Sequence, residues 1–189
     1  MTTVTHEHAQ AVDEQLAELW GAEQQLRATI SRDELYLNHA VGDKVAGWGW
    51  KYTDPRQFKT TNAEAEARAR EQLAAGTISL RVRSAVESVL KTIDVRRAKV
   101  DELRATAAPL QAEYRADPWP RFFFVVSSAH GHIHSSMSCH TCRPTTAFSW
   151  QPQLSGLTEA DAVAQLGPKL CSACYPSAPV EWIGTGKGA

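Results

Sequence analysis

Between His6 and Val41 the apolar residues Val12, Leu16, Leu19, Leu26, Ile30 and Leu37 recur at alternating steps of four and three. Glu23 and Asp33 stand where two further apolar residues would complete the stripe. This spacing predicts one long helix with a coiled-coil-like seam, closed by Gly42. At about 1.5 Å per residue it spans roughly 50 Å. The stripe returns from Ser79 to Ala116, at Val86, Val89, Ile93, Val100, Leu103, Ala107, Leu110 and Tyr114. Two matching stripes predict an antiparallel helical hairpin in which each arm buries what the other exposes. Pro109 is expected to kink the second arm one turn before itself. The stripes also offer a surface for self-association.

Gly47, Gly49, Asp54 and Pro55 break the pattern between the arms and predict a connection over residues 42–60. Thr61 with Glu64 three positions on is a capping box, so a shorter helix is expected from there to Ala75. Gly76 and Thr77 either interrupt it or lie within one long helix. Asp117, Pro118, Trp119 and Pro120 form a stiff boundary. Beyond it the period changes to extended: Arg121–Ser127, Gly131–Ser136 and Thr145–Trp150 read as strands. One short helix fits Glu159–Leu166, capped by Thr158 and stopped by Gly167 and Pro168. The expected class is α+β: a helical hairpin over 1–117, then a zinc-ribbon-like β module over 118–189. A segment beginning near Asp117 is expected to fold alone with metal.

Composition sharpens that boundary. The chain has 189 residues, 43% hydrophobic and 22% charged, which is ordinary for a globular protein. The formal charge of −1 hides an uneven distribution, because only seven charged residues lie beyond Pro118. The N-terminus lacks a basic segment followed by an apolar one, and the longest apolar run, Phe122–Val126, is far too short to span a membrane. These features predict a cytoplasmic protein with reduced thiols and no membrane contact.

All four cysteines fall in two C-x-x-C pairs, Cys139/Cys142 and Cys171/Cys174, with 28 residues between the pairs. Two intervening residues allow a turn tight enough for both sulfurs to reach one ion, and turn amides can donate to those sulfurs. Two such turns make a closed tetrahedral site with bonds of about 2.3 Å. Local disulfides, a redox pair and free thiols are the alternatives, and the redox reading wants a βαβ context that is absent. One ion per chain is expected. Zinc is the default, and iron accepts the same donors.

His130, His132 and His134 alternate along a predicted strand, so their rings share a face. The favoured role for His132 and His134 is support of the cysteine site through hydrogen bonds to sulfur. Replacement of one cysteine as a ligand is the alternative. A separate, open metal site for hydrolysis comes last, because Asp117 and Glu159 are the nearest acids in sequence and no carboxylate base is at hand. His140, inside the first pair, is expected to be exposed. Trp48, Trp50, Lys51, Arg56 and Lys59 mix stacking surfaces with cations, as a single-stranded nucleic-acid platform requires. The same aromatics also suit a small core at the end of the hairpin, the favoured reading, since Asp43 and Asp54 dilute the charge.

Arg121-Phe-Phe, Gly131-His-Ile-His-Ser-Ser-Met137, the two cysteine pairs, Phe148 and Trp150, Leu154–Glu159, Ala162-Val163 and Pro176–Trp182 together form a specific pattern. In it the C-terminal third resembles a recurrent module of small uncharacterised proteins of actinobacteria and their bacteriophages. The resemblance implies a zinc-binding fold and a phage or actinobacterial setting, and it brings no activity. His132 and His134 belong to the shared pattern; His130 does not.

The resulting expectation is a non-enzymatic interaction or adaptor protein with a protein partner. The alternative is a nucleic-acid-binding or transcription-regulatory protein, by analogy with factors that join a coiled coil to a four-cysteine finger in the secondary channel of RNA polymerase. A histidine-dependent metallohydrolase ranks below both.

Overall fold

The computed structural model describes residues 4–41, 58–126 and 131–179. The fold is α+β, and among the described residues three helices precede a small antiparallel sheet. Helix α1 spans His6–Val41, α2 Asn62–Ala74 and α3 Leu80–Ala116. Strand β1 is Phe123–Val125, β2 Ile133–His134 and β3 Phe148–Trp150, in the order β2-β1-β3. Helix α4, Glu159–Leu166, follows. Contacts divide the chain into two compact units, 19–107 and a second made of 1–18 with 108–189.

In the unit 19–107, Ile30 and Leu37 of α1, Ala69 of α2, and Val86, Leu90, Ile93 and Val100 of α3 share one core with Ile78. Glu23 of α1 pairs with Arg104 of α3 (3.1 Å), whereas Asp33 and Glu34, later in α1, pair with Arg96 and Arg97, earlier in α3 (2.9 Å for Glu34–Arg97), so the two helices are antiparallel here. The two acids that interrupt the α1 stripe are thus cross-helix partners of arginines. Glu66 of α2, side chain largely buried, accepts from Arg97 Nη2 at 2.6 Å and Arg70 Nη2 at 2.8 Å. The Arg97 hydrogen bond, more than burial opposes it, holds the Glu66 carboxyl below its usual range.

Thr61 and Glu64 complete the capping box of α2. At its other end Gly76 has φ +69°, and the N–H groups of Gly76 and Thr77 donate to the carbonyls of Leu73 and Gln72. That closing motif needs a left-handed residue, so Gly76 separates α2 from α3. Helix α3 continues through Pro109 to Ala116. Residues 42–57 of the expected connection lie outside the described residues; Phe58, near its end, is buried, its ring 4.8 Å edge-on from His39.

In the other unit, Phe122, Ile133, Leu157, Ala162, Leu170, Tyr175 and Ala178 form a second core. Phe122 and Tyr175 stack with centroids 5.7 Å apart. The start of α1 belongs to this unit through Asp13, which is fully buried. Its Oδ2 accepts from Trp119 Nε1 at 2.9 Å and Arg121 Nε at 3.0 Å, and its Oδ1 from Arg121 Nη2 at 2.6 Å. The Arg121 guanidinium lies 3.4 Å over the Tyr114 ring and 4.7 Å from the Trp150 centroid. A planar cation suits this place because it can stack and pair at once. Gly156, at φ +82°, lies so close to α1 that a Cβ there would approach Ala9 Cβ to 2.7 Å. Among the described residues no helix is long and apolar enough to cross a membrane.

Candidate metal centre

The two cysteine pairs form the tight turns their spacing predicts. Cys142 N–H donates to the Cys139 carbonyl at 2.9 Å, and Cys174 N–H to the Cys171 carbonyl at 3.0 Å. A strand brings the turns their shared neighbour. Cys171 N–H donates to Ile133 O at 2.9 Å, and Ile133 bridges Leu170, so β2 runs beside the second pair. The residue after Ile133 is His134, buried, with its ring 6.0 Å edge-on from Phe148 of β3.

The outcome is a cluster of His134, Cys139, Cys171 and Cys174, whose donor atoms all lie within 4.8 Å of one another. Cys142 adjoins it, with Sγ 3.6 Å from His134 Nε2. Thiolate and imidazole are the donors that divalent zinc takes in closed sites, and the spread of the atoms suits one tetrahedral ion. The four cysteines are free, so the disulfide alternative does not describe this state.

The sulfurs differ in their surroundings. Thr141 Oγ1 lies 3.2 Å from Cys139 Sγ and 3.8 Å from Cys171 Sγ. The Thr141 hydroxyl, and after it the Thr141 backbone N–H, hold the Cys139 thiol below its ordinary range. Burial pushes Cys174 up, against opposing hydrogen bonds from the Ser135 backbone and hydroxyl. Burial likewise raises Cys142. His134 is pushed down by burial and then by the nearby His132, which favours the neutral ring that a metal or a sulfur needs. Thr141 was not singled out from the sequence. The signal for Thr141 was its place inside a C-x-x-C turn, where a hydroxyl can reach back to the first sulfur.

The histidines divide. His134 joins the sulfurs, whereas His132 and His140 are exposed. His132 lies outside β2, which has only two residues instead of the six expected, so the shared-face argument does not reach it. His130 lies outside the described residues, as do Trp48, Trp50, Lys51 and Arg56 of the aromatic-basic connection. Lys59 is described and exposed. A concavity of about 370 Å³ lies in the unit 19–107 between Arg27, Ser31, Glu34, Arg97 and Arg104. Its arginines are paired with Glu23, Glu34 and Glu66, which neutralises the charge an anionic ligand would need.

Compared with protein-family models, with curated proteins and with solved structures, the chain matches none.

Proposed function

We propose that the chain is a non-enzymatic interaction protein whose C-terminal module is held rigid by one zinc ion. The observation that carries this reading is the convergence of His134, Cys139, Cys171 and Cys174 within 4.8 Å. A small core such as that around Phe122 is short of apolar burial, and an ion that binds only the folded chain supplies the difference. Sulfur and imidazole fill all four positions of such an ion, which suits scaffolding rather than activation of water. Charge is sparse in this part of the chain, and its surface offers Val126 and Met137, both about half exposed, to a protein partner. The cytoplasm, where thiols stay reduced, is the setting this reading takes. A phage or actinobacterial origin is part of the same proposal.

Elemental analysis of purified protein is expected to give about one zinc per chain, released with chelator. Copurification of the tagged chain from its host, with and without nuclease, is expected to recover a defined protein in both cases. Recovery that nuclease abolishes would turn the reading to nucleic acid, and metal-free protein would remove its foundation.

A further inference from the structure

Five donor groups converge where a tetrahedral ion has four places. His134, Cys139, Cys171 and Cys174 already make a complete set. The fifth group, Cys142, is half-buried and packs on the histidine: its Sγ is 3.6 Å from Nε2 and 3.9 Å from Nδ1. Cys174 Sγ lies 3.7 Å from Nδ1. A neutral imidazole has one N–H and one lone pair. Cys142 Sγ lies beside both ring nitrogens and Cys174 Sγ beside Nδ1, so whichever nitrogen carries the hydrogen, the other has a sulfur next to its lone pair. A lone pair aimed at a thiolate is repulsive unless a proton or a metal ion intervenes. With metal–sulfur and metal–nitrogen bonds of about 2.3 and 2.0 Å, the sulfur–nitrogen edge of a tetrahedron is about 3.5 Å. The observed separations therefore suit a shared ion and an N–H···S bond alike.

We propose that His134 and Cys142 compete for one corner of the metal site, with Cys139, Cys171 and Cys174 holding the other three. This rests on the reading of the cluster as a metal centre, and it makes that centre tolerant of thiol modification. With Cys142 as ligand, the His134 N–H supports its sulfur. With His134 as ligand, Cys142 is a spare thiol open to a small disulfide. In that exchange the Cys142 thiolate attacks one sulfur of the disulfide and the S–S bond breaks. Cys142 is left as a mixed disulfide, and the departing thiolate takes up the proton that Cys142 gave. The ion keeps four donors throughout, whereas a strict four-cysteine site would lose one.

The test uses the full chain with cobalt(II) as a spectroscopic probe. Cys142→Ser, His134→Asn, the double variant and Cys139→Ser are compared. Each of the first two is expected to bind one equivalent with affinity lowered by no more than about 10–100-fold. The double variant should fall to the level of Cys139→Ser. Thiolate-to-cobalt charge-transfer absorption should drop in Cys142→Ser and hold in His134→Asn. If either single variant is as damaging as Cys139→Ser, the corner is not shared and the proposal fails. A wild type that takes up no cobalt would instead overturn the metal reading itself. A second measurement needs no variant: zinc-loaded wild type is treated with iodoacetamide, so that a cysteine sulfur displaces iodide. Mass spectrometry should find the first label on Cys142 with zinc retained. Zinc release in step with the first label, or a first label elsewhere, would also overturn the proposal.

Discussion

The two units of this chain solve the problem of a small core in different ways. In 19–107, long helices bury a stripe of branched aliphatic residues around Val86 and Ile93 and edge it with arginine–carboxylate pairs. In the unit containing 108–189, strands of two and three residues accompany a small core around Phe122, and the sulfurs of two turns converge on His134. Helices carry their own backbone hydrogen bonds and need only a covered face; strands this short need an external tie. The contrast teaches where each half is vulnerable, and four expected outcomes test it.

The largest effect should come from chelation. Structural zinc in small domains supplies apparent binding energies of about 10–16 kcal/mol at neutral pH, so metal removal should unfold the sheet and α4. Near-ultraviolet dichroism from Trp119 and Trp150 should collapse while far-ultraviolet helix signal largely persists. Equal loss of both would mean that the two units share one stability.

Asp13→Ala comes next. It leaves the Arg121 guanidinium, only 12% exposed, without its carboxylate. Breaking a buried pair in this way costs about 3–5 kcal/mol. Chemical denaturation followed by tryptophan fluorescence should show the loss, together with weaker metal retention. Unchanged metal retention would separate the start of α1 from the module. A segment beginning at Asp117 lacks the same carboxylate and should bind metal with lower stability than the full chain.

Ile93→Ala inverts the first experiment. Ile93 is fully buried in the helical core, and the truncation should cost about 2–5 kcal/mol by cavity formation. The far-ultraviolet melting temperature should fall while zinc content stays at one equivalent.

The smallest effect concerns acid. Hydrogen bonding to Arg97 lowers the folded-state pKa of Glu66, so its contribution is present above the ordinary carboxylate range. It is lost as pH falls through the lowered value, when protonation removes the bond. The acid side of the stability profile should therefore be flatter in Glu66→Gln than in wild type. Identical pH profiles would assign the acid sensitivity elsewhere.

Much of this architecture follows from short-range signals that the sequence carries by itself. The start of α1, the limits of α4, the capping box at Thr61 and the tight turns at both cysteine pairs each depend on residues within one or two helical turns of one another. Propensity, capping and C-x-x-C spacing act at that range, so they are legible without a fold. The α+β class follows from the change of hydrophobic period near Pro118.

Tertiary structure alone decided the pairings across distance. Asp13 meets Trp119 across 106 residues of chain, and Glu23 and Asp33, which look like defects in a seam, meet Arg104 and Arg96 on α3. It also decided that His134 rather than His132 reaches the sulfurs. That choice depends on where β2 stops and on the Ile133–Cys171 hydrogen bond, and neither leaves a mark in residue spacing. Side-chain partnership is fixed by the packing of whole elements, and a local pattern can name the candidates without choosing among them.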